Sequence, residues 1–289
     1  MRAADWPVAI VGAGTMGHGI AQVAAQQGFE VRLYDESSEA LGTAKSGIEL
    51  TLDKGLARGV VTREEKEETL ARIAFVDTLE EAVQGCRVVI EAVPEDPAIK
   101  RVVFERLGEL VPATTILASN TSALSITMIG SWTQHRERVI GLHFFNPPDR
   151  MPLVEVVRGL TTGDKTVDRA RRFCRQIGKE TIVVADRPGF ATSRLSATIG
   201  NEAWYMFMEG VASPEEIDKA VKLGLGFPMG PFELGDLIGL DVRLSVLRYL
   251  HETLGERYRP CPMLVEYVEA GFLGRKTGRG VYEYPSQDA

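Results

Sequence analysis

Cysteine is scarce in this chain: three among 289 residues, Cys86, Cys174 and Cys261. They are far apart, odd in number and form no CxxC pair. A disulfide framework is thereby excluded, and a reducing, cytoplasmic setting is expected. Histidine is nearly as rare. His18, His135, His143 and His251 show no HExxH or related spacing, so no metal centre is expected. Positive charge is also in deficit, 33 Lys and Arg against 40 Asp and Glu, for a net charge of −7. This argues against a nucleic-acid binder with a broad basic surface, but not against a small anion held in a local basic pocket. No apolar run reaches the ~20 residues that a membrane span needs. The opening "MRAADWPVAIVG" lacks the basic and apolar regions of a secretory signal. Internal repeats, low-complexity tracts and long linkers are missing too.

What the chain does have is apolar residue, at 44%, and length for one large or two ordinary domains. Val8–Val11 reads as a short strand. A helix opens at Thr15, with Gly28 at its C′ position. "EVRLYD" is the next strand, ending at Asp35, and a long helix spans Ser37 to about Arg58. Thr62 and Glu65 form a capping box at the head of "VTREEKEETLARI", a second helix. "CRVVIEAVPE" is a strand. Asp96 then caps a helix whose first residue is Pro97. "TTILASN" and "RVIGLHFF" are further strands, and "LVEVV" and "TIVVA" flank a helix at about Lys165 to Ile177. Such alternation predicts a mostly parallel sheet covered by helices on both faces. The pattern changes at "ADRPGF", residues 185–190. Beyond it, "ATSRLSATIGNEAWYMFMEG", "SPEEIDKAVKLG" with its cap Ser213, and "PFELGDLIGLDVRLSVLRYLHETLG" are helical. Two domains are expected, an α/β domain over 1–186 and an all-helical domain over 187–289.

The stretch "VAIVGAGTMGHGIAQVAAQQGFEVRLYD" is the most informative locally. Gly12, Gly14 and Gly17 form GxGxxG between a strand and a helix, and a second strand ends in Asp35, 23 residues after Gly12. A bare GxGxxG is weak, but this full context points to a Rossmann-like dinucleotide site. Gly12 permits the tight turn, Gly14 lets backbone approach a pyrophosphate, and Gly17 lets helix and strand pack closely. The helix start offers unpaired N–H groups to the phosphates. Asp35 is placed to accept hydrogen bonds from ribose hydroxyls, which favours NAD. His18, just inside the helix, is expected to face solvent. "GLGFPMG", residues 224–230, follows a helix and reads as a loop, not a second nucleotide site.

"GLHFFNPPDRMPLVEVV", residues 141–157, raises a different question. Two strand-like runs flank a loop with adjacent prolines. One carries His143 and the other Glu155. Folded as an antiparallel ribbon about Asp149, the two residues lie opposite each other, six positions from the centre. A carboxylate beside imidazole fixes its tautomer and stabilises the imidazolium. That is what a general base needs to take a hydroxyl proton while hydride leaves for nicotinamide. In isolation, a pair that merely pins a hairpin would be the better reading; a dinucleotide site on the same chain favours catalysis.

Six blocks, "GAGTMG", "ASNTSAL", "GLHFFNP", "LVEVV", "KLGLGFPMGPFELGDLIGLD" and "GRKTGRGVYEY", carry a resemblance that covers residues 7–284. Together and in this order they resemble the short-chain L-3-hydroxyacyl-CoA dehydrogenase family, bacterial 3-hydroxybutyryl-CoA dehydrogenases included. The resemblance implies an NAD-binding Rossmann-like domain, a helical domain used for homodimerisation, and oxidation of a 3-hydroxyacyl-CoA to the 3-ketoacyl-CoA. It implies His143 as acid/base, Glu155 as its partner and Ser122 close to the reacting oxygen and both ligands. Gly12, Ala13, Gly14, Thr15, Met16 and Gly17 become the cofactor loop, with Asp35, Glu95, Lys100, Asn146 and Lys276 also on the cofactor side. Without the resemblance, Ser122 and Asn146 are turn formers, and Glu95, Lys100 and Lys276 are ordinary solvated charges.

For CoA the pointers are Thr51, Lys54 and Arg58, spaced i, i+3, i+7 on one face of the helix after Asp35. Matching positions in the family contact CoA, and a guanidinium suits phosphate. A solvated helix face is the alternative. One departure stands out: many members carry Asn where "GFATSR" has Ser193, a shorter side chain placed on the substrate side. Two rival readings are a superfamily dehydrogenase acting without CoA, on L-gulonate or carnitine, and a non-catalytic NAD-binding protein such as a lens crystallin. The basic helix face speaks against the first and the intact His143/Glu155 pair against the second.

Overall fold

The computed structural model describes residues 6–285. The chain divides after Asp186 into two compact units. The first carries β1 (Val8–Val11), α1 (Thr15–Gln26), β2 (Val31–Tyr34), α2 (Ser38–Ala57), α3 (Arg63–Ala71), β3 (Ile73–Val76) and α4 (Leu79–Val83). It continues with β4 (Val88–Glu91), α5 (Pro97–Leu110), β5 (Ile116–Ser119), α6 (Ile126–Ser131), β6 (Val139–Phe144), β7 (Leu153–Arg158), α7 (Asp164–Gln176) and β8 (Glu180–Ala185).

These strands form one sheet in the order β3-β2-β1-β4-β5-β6-β7-β8. From β3 to β6 every pair is parallel; β7 runs antiparallel to β6, and β8 parallel to β7. The chain winds from β1 outward to β3, then crosses back to place β4 on the other side of β1. That reversal is the switch point beside which open α/β sheets bind ligands. Every residue of β1, β4, β5 and β6 is buried. Helices therefore cover both faces, as near-continuous apolar strands require.

Local capping chemistry sets where helices begin. The Ser37 side chain accepts from Ala40 N, and Thr62 and Glu65 make a reciprocal capping box. Asp96 accepts from Ala98 N and Ile99 N ahead of Pro97. In this first unit three short elements go beyond the sequence reading: β3, α4 and α6. The helix read through "VTREEKEETLARI" stops at Ala71, and Ile73 already belongs to β3.

The second unit holds α8 (Thr192–Met208), α9 (Pro214–Gly224), α10 (Pro231–Ile238), α11 (Leu240–Leu254) and α12 (Pro262–Glu269). The long helical stretch from Pro231 is two helices, because Gly239 breaks it at φ 110°. Trp204, Phe232, Leu244, Leu247 and Leu264 form its core. Two buried carboxylates dock the last segment: Asp218 accepts from Phe232 N, Glu233 N and Tyr282 OH, and Asp236 from Val281 N, Tyr282 N and Tyr284 OH. Among the described residues no helix is long and apolar enough to cross a membrane, and no cluster could hold a metal ion.

Candidate active site

The loop from β1 to α1 has the shape that a dinucleotide requires. Gly12 has φ 104°, and a Cβ there would lie 2.7 Å from the Ala92 carbonyl that follows β4. A Cβ on Gly17 would lie 1.8 Å from the Gly12 oxygen, so loop and helix interlock. Gly14 is different: it is exposed, and nothing stands within 4 Å of its missing Cβ. It is also the N-cap of α1, with no side chain capping the helix start. Exposed Thr15 and half-buried Met16 follow. An open approach ending on uncapped N–H groups fits a pyrophosphate. Asp35 stands just past β2. Its Oδ2 accepts from Ala13 N at 2.8 Å and its Oδ1 from Ser37 N at 3.0 Å, so its carboxylate is fixed against the loop. The Ala13 N–H is thus committed to Asp35. His18 does not simply face solvent. It is half-buried, and its ring lies against Gly47 of α2, where a Cβ would be 3.4 Å from Nε2.

His143 and Glu155 meet in the register that the antiparallel ribbon demands. His143 Nδ1 is 2.8 Å from Glu155 Oε2, and Glu155 is completely buried. The Phe145 ring packs 4.6 Å from the imidazole. The connecting loop has a cis peptide between Asn146 and Pro147. Lys179, just ahead of β8, holds that loop: its buried ammonium donates to Pro148 O at 2.5 Å and Met151 O at 2.9 Å.

A second polar cluster lies beyond β4 and β5. Glu95 Oε1 accepts from the Thr121 hydroxyl, from Ser122 N at 3.0 Å and from Ala123 N at 3.1 Å. Lys100 is not a solvated base. It is buried, 2.5 Å from Glu91 Oε1 and 3.3 Å from Glu95 Oε2. Asn120 Oδ1 accepts from Phe144 N at 2.9 Å, which ties the Ser122 loop to the strand of His143. Glu91, Asn120, Thr121 and Lys179 were all missed from the sequence. Only Glu91 had a visible signal, a lone charge in the apolar run "VVIEAV".

The remaining expected residues are not brought to these clusters by any bond described. Thr51, on α2, donates back to Gly47 O at 2.9 Å. Lys54 and Arg58 are exposed at the end of α2, and Arg58 is its C-cap. In the second unit, Ser193 sits in the first turn of α8, and Lys276 pairs with Asp241 at 2.6 Å.

Known proteins similar to this chain fall into one family. Residues 7–187 match the 3-hydroxyacyl-CoA dehydrogenase NAD binding domain, and residues 189–284 the 3-hydroxyacyl-CoA dehydrogenase C-terminal domain. The chain is 46% identical to a probable 3-hydroxybutyryl-CoA dehydrogenase of Bacillus subtilis, over 96% of each chain. It is 45% identical to the 3-hydroxybutyryl-CoA dehydrogenase of Bradyrhizobium diazoefficiens, over 98% of this chain and 97% of that one. The crystal structure of (S)-3-hydroxybutyryl-CoA dehydrogenase from Ralstonia eutropha superposes with a TM-score of 0.94 at 41% identity, over 98% of this chain and all of that one. With both units matched and relatives similar along nearly the whole length, the chain belongs to the 3-hydroxyacyl-CoA dehydrogenase family, and its first unit is that family's NAD-binding domain.

Proposed function

We propose that the chain oxidises L-3-hydroxyacyl-CoA, 3-hydroxybutyryl-CoA above all, to the 3-ketoacyl-CoA with NAD. The observation that carries this reading is the buried His143–Glu155 pair beside the Ser122 loop, in a chain with an NAD-binding domain. Glu155 accepts a hydrogen bond from His143 Nδ1–H and so leaves the lone pair on Nε2. His143 then takes the proton of the C3 hydroxyl, and Glu155 stabilises the imidazolium that forms. Bound NAD supplies the hydride acceptor. Ser122 orients the reacting oxygen. Gly12 to Gly17 hold the pyrophosphate and Asp35 the ribose, with Glu95, Lys100, Asn146 and Lys276 on the cofactor side. Thr51, Lys54 and Arg58 receive CoA, and Ser193 serves the acyl side. The working unit is a homodimer built through the second unit, and the three buried free thiols suit a reducing cytoplasm.

The test is NADH oxidation with 3-ketoacyl-CoAs of increasing length, starting at acetoacetyl-CoA. Turnover that free CoA inhibits competitively is expected. Turnover of free 3-keto acids with no response to CoA would overturn the reading.

A further inference from the structure

The resemblance implies a cofactor-side role for Lys100 but says nothing of its burial against Glu91. Glu91 is 0% and Lys100 1% exposed. Glu91 Oε1 accepts from Lys100 Nζ at 2.5 Å and from Val93 N at 2.8 Å, and Oε2 accepts from Ser119 Oγ at 2.6 Å. Lys100 Nζ also donates to Val93 O at 3.3 Å and faces Glu95 Oε2 at 3.3 Å. Glu95 in turn gathers Thr121, Ser122 and Ala123. Ser119, Glu91, Lys100, Glu95 and Ser122 therefore form one unbroken chain of contacts. It joins the end of β4, the first turn of α5 and both sides of the turn after β5.

A neutral apolar pair of similar volume would fill this space without the desolvation cost of two buried charges. What only the charged pair supplies is the bridge to Glu95. We propose that Glu91 is a positioning residue for the cofactor: through Lys100 it fixes Glu95, and through Glu95 it fixes the backbone of Ser122 and Ala123. Glu91 itself is fully buried and acts only through Lys100, Val93 and Ser119. This deepens the function proposed above, resting on NAD binding by the first unit and not on the identity of the acyl substrate.

Glu91→Gln removes the counter-charge while keeping the side-chain size. Lys100 then pairs with Glu95 alone and draws it from the Ser122 and Ala123 N–H groups. NADH binding is read by fluorescence titration at a temperature where circular dichroism shows the variant fully folded. The NADH Kd is expected to rise by about tenfold or more. A merely structural pair would lower the melting temperature and leave the NADH Kd of the folded protein unchanged. A Glu91→Gln protein with an NADH Kd within about twofold of the parent overturns the proposal. Should Glu91→Gln not fold, Ser119→Ala decides. It removes one hydroxyl from Glu91, and an NADH Kd raised about threefold or more is expected; an unchanged Kd overturns the proposal. The titration needs no turnover. A parent protein that binds NADH but does not oxidise it with acetoacetyl-CoA refutes the substrate reading alone.

Discussion

Glu155 has no exposed surface, and its carboxylate reaches the Nδ1 of His143. An imidazole so held has one defined tautomer, which makes its proposed role testable by a near-isosteric change. His143→Gln should lower kcat by roughly 10²–10⁴-fold with NADH affinity nearly unchanged. Steady-state kinetics and NADH titration check this together; most of the parent kcat surviving in the variant would refute the role. Asp35 permits a second residue-scale expectation. NADP would set a 2′-phosphate beside a carboxylate that Ala13 N and Ser37 N hold in place. Two charges ~4 Å apart repel by about 4 kcal/mol at an effective dielectric of ~20. kcat/KM should therefore favour NAD, and equal values with both cofactors would count against it. The His143–Glu155 contact was legible because antiparallel pairing has simple arithmetic about a single loop. Glu91 and Asn120 were not, because their partners lie across loops whose path no local rule fixes.

At the scale of elements, caps were the most readable signals. Ser37, Thr62 with Glu65, Asp96 with Pro97, and Ser213 each begin a helix where expected. The elements overlooked, β3, α4, α6 and α12, are four to eight residues long, too short to show a clear period of their own. Gly239 splits one helical pattern, because periodicity does not register a backbone turn inside an apolar run. Lys179 is the anchor of the loop between β6 and β7, and it yields a stability expectation. Lys179→Met strands two loop carbonyls and should cost about 1–3 kcal/mol, read from urea midpoints. Burial pushes the Lys179 ammonium below its ordinary value of 10.5. Between the folded value and 10.5 the unfolded chain holds more protons, so the burial cost is present in full at lower pH and is relieved as pH rises. The stability gap between the parent and Lys179→Met should therefore widen from neutral pH towards about pH 10. A gap that narrows over this range would show that burial does not lower the Lys179 ammonium in the folded protein.

For the molecule as a whole, strand and helix alternation was enough to read an α/β domain followed by helices. The relation of one unit to the other was not legible, since no local pattern encodes it. The second unit leaves large apolar side chains in water, Leu223 at 78%, Leu225 at 67% and Leu195 at 65% exposed. Exposed apolar groups of this size fit a surface that a second copy covers. The parent protein is expected to sediment as a dimer, and Leu223→Glu with Leu225→Glu as a folded monomer. A monomeric parent would refute the dimer.

In the function proposed above, the turn from Gly12 to Gly17 would meet pyrophosphate with the uncapped N–H groups at the start of α1. Gly12 and Gly17 are locked together, and Gly14 offers only backbone. At Gly12, Gly14 and Gly17 an added side chain cannot retune recognition; it can only block it. Any evolutionary or engineered change of cofactor preference must then be written elsewhere, first at Asp35 and the residues that steady it.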